Sequence, residues 1–330
     1  MTTMAAMPCW PQLPHRSFAE ERFNQSAMHF PGFILDTVTR HAYVDRAVME
    51  QHIDQLSVAY LSRTIANGAL TIEHATGLTE LLRMPAEWFT GRAICSQQVG
   101  PISLALRLTD EQQRSLIYDP VLLEAVAHHL SLRIAWLANQ FANLAADTIT
   151  YLDEPFLDAF NTAFFPLDWD RGLELLELVL ADGPGCRGVL IGGVGHRETN
   201  ASVYWAPLLE TSIELIGLDV YYHGELLLNA AHLLPDFLDR PGFLTWGLIP
   251  ADADMLALET TESLVKRFQQ LVNHLVKANV PRDQLLAASF ISTSSSLEHL
   301  PIDVAEHALK MCVAVSNQIR STYRLEANET

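Results

Sequence analysis

Basic residues are scarce in this sequence: 21 Lys and Arg stand against 39 Asp and Glu, for a formal charge of −18. A surface of that sign repels phosphate, so nucleic acid and anionic membranes are poor partners. Cysteine is sparse too. Cys9, Cys95, Cys186 and Cys312 are scattered with no C-x-x-C pair, which argues against a disulfide framework and against a zinc ribbon. Residues 1–12 have neither the basic region nor the apolar core of a signal peptide. No apolar run approaches the ~18 residues of a spanning helix, so the expected location is the cytoplasm. A Walker loop and a nucleophile elbow are missing. The glycine-rich stretch 188–195 lacks the G-x-G-x-x-G spacing and the acid that a dinucleotide site needs. Low-complexity segments and short repeats are absent as well.

What the chain does have is apolar material, 49% of 330 residues, enough for a large core in one domain spanning 1–330. Short runs rich in Val, Ile, Leu and aromatics fall at 93–106, 148–152, 188–194, 216–222, 243–249 and 286–291. Strands buried on both faces look like this. Segments with apolar residues at helical spacing lie between them, at 119–143, 168–181, 259–278 and 301–320. The third of these has Glu259 and Glu262 at its start and Lys277 at its end, which suits the helix dipole. Strand–helix alternation implies a parallel sheet with right-handed crossovers. Six such units on a chain of this length favour an α/β fold closed as a (β/α)8 TIM-type barrel. Residues 24–82 read as an irregular insertion: a hairpin at 33–36 and 42–44, with two helices.

In a parallel barrel the chemistry sits at the C-terminal ends of the strands. The polar residues expected there are Gln97, Gln98, Asp153, Glu154, His196, Glu198, His223, Glu225, Trp246 and the hydroxyl-rich run from Ser292 to Ser296. Asp153 and Glu154 leave an apolar run side by side and need a cation, a metal or water. Two readings are open: recognition of a substrate amine with general acid/base work, or a helix cap and an ion pair at the rim. His196 and Glu198 form a His-x-Glu pair after three glycines, a half-site for zinc that His223 could complete. The alternative is hydrogen-bonded or solvated loop residues. The serine run, Ser295 included, suits a phosphate or carboxylate or simply the start of the next helix. Catalytic candidates are therefore Asp153, Glu154 and His196. Substrate-binding candidates are Gln97, Asp153, Tyr222, Trp246 and Ser295. Metal candidates are His196, Glu198 and His223.

Several segments resemble the uroporphyrinogen decarboxylase / cobalamin-independent methionine synthase-like superfamily. They are Trp10-Pro11-Gln12-Leu13-Pro14, Val99-Gly100-Pro101-Ile102-Ser103-Leu104, Tyr151-Leu152-Asp153-Glu154-Pro155, Trp205-Ala206-Pro207-Leu208-Leu209-Glu210 and Leu218-Asp219-Val220. Most specific, along with the Asp-Glu-Pro, is Thr245-Trp246-Gly247-Leu248-Ile249-Pro250 followed by Glu259-Thr260-Thr261-Glu262-Ser263-Leu264. The resemblance implies a methyltransferase-like barrel acting on a small thiol- or amine-bearing substrate, with a corrinoid or folate-type methyl donor. It places Asp153 on the substrate's amino group and His196 on a zinc ion that turns a bound thiol into a thiolate.

The sequence departs from that pattern in two respects. The zinc cysteines of such relatives appear here as Glu198 (or Thr199, if the alignment slips) and Ser295, and a serine hydroxyl holds zinc poorly because it stays protonated. The first strand–helix unit that usually precedes Trp-Pro-Gln-Leu-Pro is missing or remodelled. Exposed strand edges would follow, which suggests a homo- or hetero-oligomer or another covering protein. The alternative function is thus a catalytically degenerate barrel serving as a subunit or accessory protein of a larger complex. A porphyrinogen decarboxylase ranks last, because its arginine-rich cleft motifs are not evident.

Overall fold

The computed structural model describes residues 7–90, 92–181, 183, 185–191 and 205–325. The chain divides into two compact units, Ala6–Val189 and Leu190–Thr330, and the division falls within one strand.

The first unit contains α1 (Arg22–Ala27), β1 (Phe33–Asp36), β2 (His41–Val44), α2 (Arg46–Leu61), α3 (Thr76–Leu82), β3 (Ile94–Val99), α4 (Pro101–Arg107), α5 (Pro120–Phe141), β4 (Thr148–Asp153) and α6 (Trp169–Leu180). The boundary strand is β5 (Cys186–Ile191). The second unit contains β6 (Leu215–Asp219), α7 (Val220–Asn229), α8 (Leu234–Asp239), β7 (Phe243–Ile249), α9 (Ala253–Leu258), α10 (Thr261–Lys277), α11 (Arg282–Ala287), β8 (Ser289–Thr293) and α12 (Ile302–Tyr323).

The fold is α/β. The hydrogen-bonded strand order is β3-β4-β5-β6-β7-β8, six strands in chain order among the described residues. Pairing is parallel where β3 meets β4, with Gln97 opposite Tyr151 and Val99 opposite Asp153, and again along β6, β7 and β8. The expected hairpin is present as the antiparallel pair β1–β2, Phe33 opposite Val44. Every residue of β4 is buried, as a central parallel strand covered on both faces requires.

Three element boundaries differ from the sequence reading. The run 93–106 is a strand only to Val99; Gly100-Pro101 then opens α4, where the fixed φ of proline suits the first helical position. The run 216–222 ends as a strand at Asp219, whose carboxylate accepts the Tyr222 N–H and starts α7. The last run is shifted: Leu286 belongs to α11, and β8 begins at Ser289.

The long helices start as their sequences suggest. Asp119 caps α5 by accepting from Val121 and Leu122 N–H, with Pro120 at the first helical position. Thr260 and Ser263 form a reciprocal capping box at α10. Among the described residues α5 has the length and hydropathy of a membrane span, and 67% of its most apolar window is buried inside the protein. Its Arg133 is fully buried and donates to the Gln25 and Met28 carbonyls at 3.0 and 2.7 Å, closing the C-terminal end of α1. Leu137 and Phe141 of α5 pack with Trp10, Leu78, Leu81, Phe89 and Ile94 in one apolar cluster.

Candidate functional site

In the first unit the site is built where β4 ends. Asp153 is the last residue of β4, and its carbonyl accepts the Gly100 N–H at 2.9 Å. Its carboxylate receives Arg22 Nη1 at 2.6 Å, with side-chain exposures of 20% for Arg22 and 8% for Asp153. Arg22 opens α1, 131 positions away in the chain. Its Nε is buried without a hydrogen-bond partner among the described residues. The guanidinium lies 5.2 Å from the Phe23 ring centroid, and Phe23 stacks on Phe156 at 5.7 Å. Arg107 approaches the same Phe23 ring at 6.0 Å.

Glu154 turns inward. It is fully buried, and its two oxygens accept from Ile102 N–H at 3.1 Å and Ser103 N–H at 2.7 Å, the first turn of α4. The Ser103 hydroxyl in turn accepts the Phe156 N–H at 3.1 Å. Burial pushes the Glu154 carboxyl up to about 7, against the hydrogen bonds from Ser103 and Ile102 that favour its charged form. Gly100 is required beside it, since a Cβ there would stand 2.1 Å from Glu154 Oε1. The geometry thus supplies a cation for Asp153 and a helix N-terminus for Glu154, both from within the chain. On β3, Gln97 is half-buried; the neighbouring Gln98 is fully buried, its Nε2 donating to the Gln97 carbonyl at 2.9 Å while its Oε1 has no partner among the described residues.

In the second unit the candidates are placed less uniformly. Tyr222 stands partly exposed in the first turn of α7, against the ring of Tyr221 at 4.7 Å. Burial and the charges of Asp252 and Asp219 raise its phenol above the ordinary tyrosine value. His223 sits at a kink in α7 with non-helical backbone, and its Nδ1 lies 3.7 Å from Glu225 Oε1. Trp246 is a mid-strand residue rather than a rim residue. It is 1% exposed, packs edge-on against Phe268 at 4.7 Å, and spends its indole N–H on Ser289 Oγ at 2.9 Å. Ser295 is exposed and its carbonyl accepts from the Thr293 hydroxyl at 2.9 Å, whereas neighbouring Ser294 is buried and fixes Ala251 N–H at 3.0 Å. His196 and Glu198 lie outside the described residues.

Two groups escaped the sequence reading. One is Arg22. The other is the set around Glu259, which accepts the Tyr221 phenol O–H at 2.8 Å, receives the Ser263 hydroxyl, and lies 3.9 Å from Arg267 Nη2. Arg267 also covers the Tyr221 ring at 4.4 Å and donates to its carbonyl at 3.0 Å. Burial and then Glu259 push the Tyr221 phenol up to about 12. The resemblance included Glu259 and Ser263 as motif letters without a role.

The described residues do not make the donor set that a thiolate-held zinc needs. No three His, Cys, Asp or Glu side chains among them converge closely enough to share an ion. Cys312 lies on α12, and burial pushes its thiol up to about 12, so it stays protonated. Cys9 and Cys95 pair with one another at the start of β3, and Cys186 begins β5.

No family model matches the chain, and no curated protein matches it. Solved structures do. The chain is similar to a B12-independent methionine synthase from Shewanella sp. W3-18-1, solved in complex with selenomethionine. That match has 16% identity and a TM-score of 0.51, and covers 78% of this chain and 69% of that one. A methyltransferase from Methanosarcina mazei matches with 11% identity and a TM-score of 0.47 over 97% of this chain and 82% of that one. At such identities the likeness is one of fold. The chain thus shares its fold with the B12-independent methionine synthase.

Proposed function

We propose that this chain is a methyltransferase-like protein of the (β/α)8 barrel type. Its substrate is a small thiol- or amine-bearing molecule held at Asp153, and its methyl donor is of the corrinoid or folate type. The observation that carries this reading is the place of Asp153: a carboxylate at the C-terminal end of a buried parallel strand, where such folds assemble their sites. The fold it shares with a selenomethionine-bound methionine synthase supports an amino-acid-like ligand. Arg22 and a substrate ammonium carry the same charge and compete for Asp153. Arg22 therefore sets how readily an amine is admitted, and Phe23 and Phe156 supply an apolar wall beside it.

The test is calorimetric titration of selenomethionine into the full chain and into Arg22→Gln and Asp153→Asn. Binding is expected in the native chain, tighter in Arg22→Gln and abolished in Asp153→Asn. The reading fails if none of the three binds, or if Asp153→Asn binds as well as the native protein. Transfer of a labelled methyl group from methyltetrahydrofolate or methylcobalamin then separates the two donor classes.

A second reading is favoured by the Arg22–Asp153 contact itself, which satisfies the carboxylate within the chain. In it the protein is a catalytically degenerate subunit or accessory protein. Failure of all three titrations, together with stoichiometric co-purification of one other protein, selects this reading.

A further inference from the structure

We propose that Cys9 and Cys95 are a redox modification site: a hydroperoxide oxidises them to a reversible disulfide that ties the segment before Trp10 to the edge of β3. The inference is independent of the function proposed above.

Geometry comes first. Cys9 and Cys95 are register partners in an isolated parallel β-bridge, and the Cys95 N–H donates to the Pro8 carbonyl at 2.9 Å. Neighbouring strands lie about 4.8 Å apart, within the range of roughly 4.4–6.8 Å between Cα atoms that a disulfide spans. The two side chains lie close enough to interact with each other. The segment is held in place on its other side by Trp10, buried in the same apolar cluster as Ile94, the residue before Cys95. The thiols therefore meet because the backbone register and an apolar anchor place them together. Closing the bond requires a rotation of side chains and no rearrangement of strands.

Access then assigns the roles. Cys9 is exposed and Cys95 is buried, so a small oxidant in solution reaches Cys9 first. The contact with Cys9, and then burial, keep the proton on Cys95. The Cys9 thiolate attacks one peroxide oxygen and the O–O bond breaks. Cys9 becomes a sulfenic acid, and the departing hydroxide (or alkoxide) takes up a proton. The Cys95 sulfur next attacks the Cys9 sulfur. The S–O bond breaks, the S–S bond forms, and the hydroxyl leaves as water with the proton from Cys95. Two thiols have lost two electrons and one hydroperoxide has gained them. A dithiol such as dithiothreitol reverses the change by thiol–disulfide exchange. Cys186, at the start of β5, lies near enough to act on Cys95 and is the competing partner.

The experiment treats the full-length protein with equimolar hydrogen peroxide, quenches it with an alkylating agent and maps peptides without reduction. The expected result is a linked pair of peptides containing Cys9 and Cys95. The free-thiol count of the denatured protein falls from four to two, and dithiothreitol restores it. Cys9→Ser, a change at an exposed position, keeps all its remaining thiols under the same treatment. The proposal is overturned if Cys95 links to Cys186 instead. It is equally overturned if Cys9 is carried to the sulfinic acid or joined to a second copy while Cys95 stays free, or if Cys9→Ser loses thiols at the native rate.

Discussion

Replacing Glu154 with Gln tests whether a buried carboxyl at the head of α4 makes the protein's stability depend on pH. The side chain is fully buried and touches two backbone N–H groups. Desolvation raises its pKa in the fold to about 7 from an ordinary 4.5. The sign follows from proton linkage. The folded state binds the proton more tightly than the unfolded state, so the stabilisation is complete below pH 4.5 and is lost as pH rises through 7. A shift of that size is worth about 3 kcal/mol over the whole window, at roughly 1.4 kcal/mol per pKa unit, and most of it falls between pH 5 and 8. Glutamine cannot titrate. It also presents an NH2 group to one of the two N–H donors, and one unsatisfied buried donor costs about 1–3 kcal/mol. The variant is therefore expected to be less stable than the native chain at pH 5 and to close that gap by pH 8. The assay is urea unfolding followed by fluorescence, at four pH values for both proteins. Using the difference between the proteins cancels the buried histidines, which titrate with the opposite sign. Parallel pH curves for the two proteins would show that Glu154 keeps one charge state throughout, and would refute the reasoning.

Two further outcomes are expected. His129 is fully buried and its Nε2 lies 2.9 Å from the Ser26 carbonyl, an acceptor only, so that nitrogen carries the hydrogen. Burial, helped by Arg133, pushes its pKa down to about 3, so its contribution is fully present above pH 6.5 and is lost as pH falls toward 3. His129→Gln keeps a donor near the same place and is expected to flatten the acid limb of a thermal-stability profile between pH 6 and 4. Asp153→Asn leaves the mostly buried Arg22 without its charged partner and is expected to cost about 2–3 kcal/mol in chemical unfolding, less than a fully buried pair because Arg22 keeps some solvent. The double variant with Arg22→Gln recovers part of that loss, and a double-mutant cycle measures the coupling.

Much of the fold was legible because it is written in local patterns. The buried run of β4, the capping of α5 by Asp119 and Pro120, and the capping box at Thr260 and Ser263 all depend on residues close in sequence. The errors came where composition stayed apolar while geometry changed. Residues 93–106 carry apolar residues on both sides of Gly100, yet Pro101 lacks a ladder donor and fits a helix start, so β3 stops at Val99. Asp219 carried an N-cap signature that should have ended the strand before Val220. Trp246 illustrates a different failure. Polar and aromatic residues late in a strand are expected at its mouth, but successive side chains point to opposite faces and Trp246 lies three residues before the end of β7. Its ring packs on Phe268 of α10 and its N–H is used up by Ser289.

Asp153 and Glu154 show how far sequence reasoning reaches at a site. Two adjacent carboxylates leaving a buried strand had to be satisfied, because an unpaired buried charge is among the costliest features a fold can carry. The need was readable from two letters; the partners were not. Glu154 finds Ile102 and Ser103, which belong to the very next strand–helix connection in the sheet order, since β3 and β4 run side by side with Val99 opposite Asp153. Knowing the strand order would have been enough to suggest it. Asp153 finds Arg22, from a short helix that no periodicity or motif connected to β4. Arg22 is placed by the docking of α1, which Arg133 and His129 enforce by holding the carbonyls of Gln25, Ser26 and Met28. A buried arginine and a buried neutral histidine on α5 thus act on the candidate site at one remove, by fixing the helix that delivers the cation. Loosening that grip, as His129→Gln does only slightly and Arg133→Met would do strongly, should move Arg22 off Asp153 before it alters the strand. The order of those two events can be read by comparing amine binding with hydrogen exchange in β4.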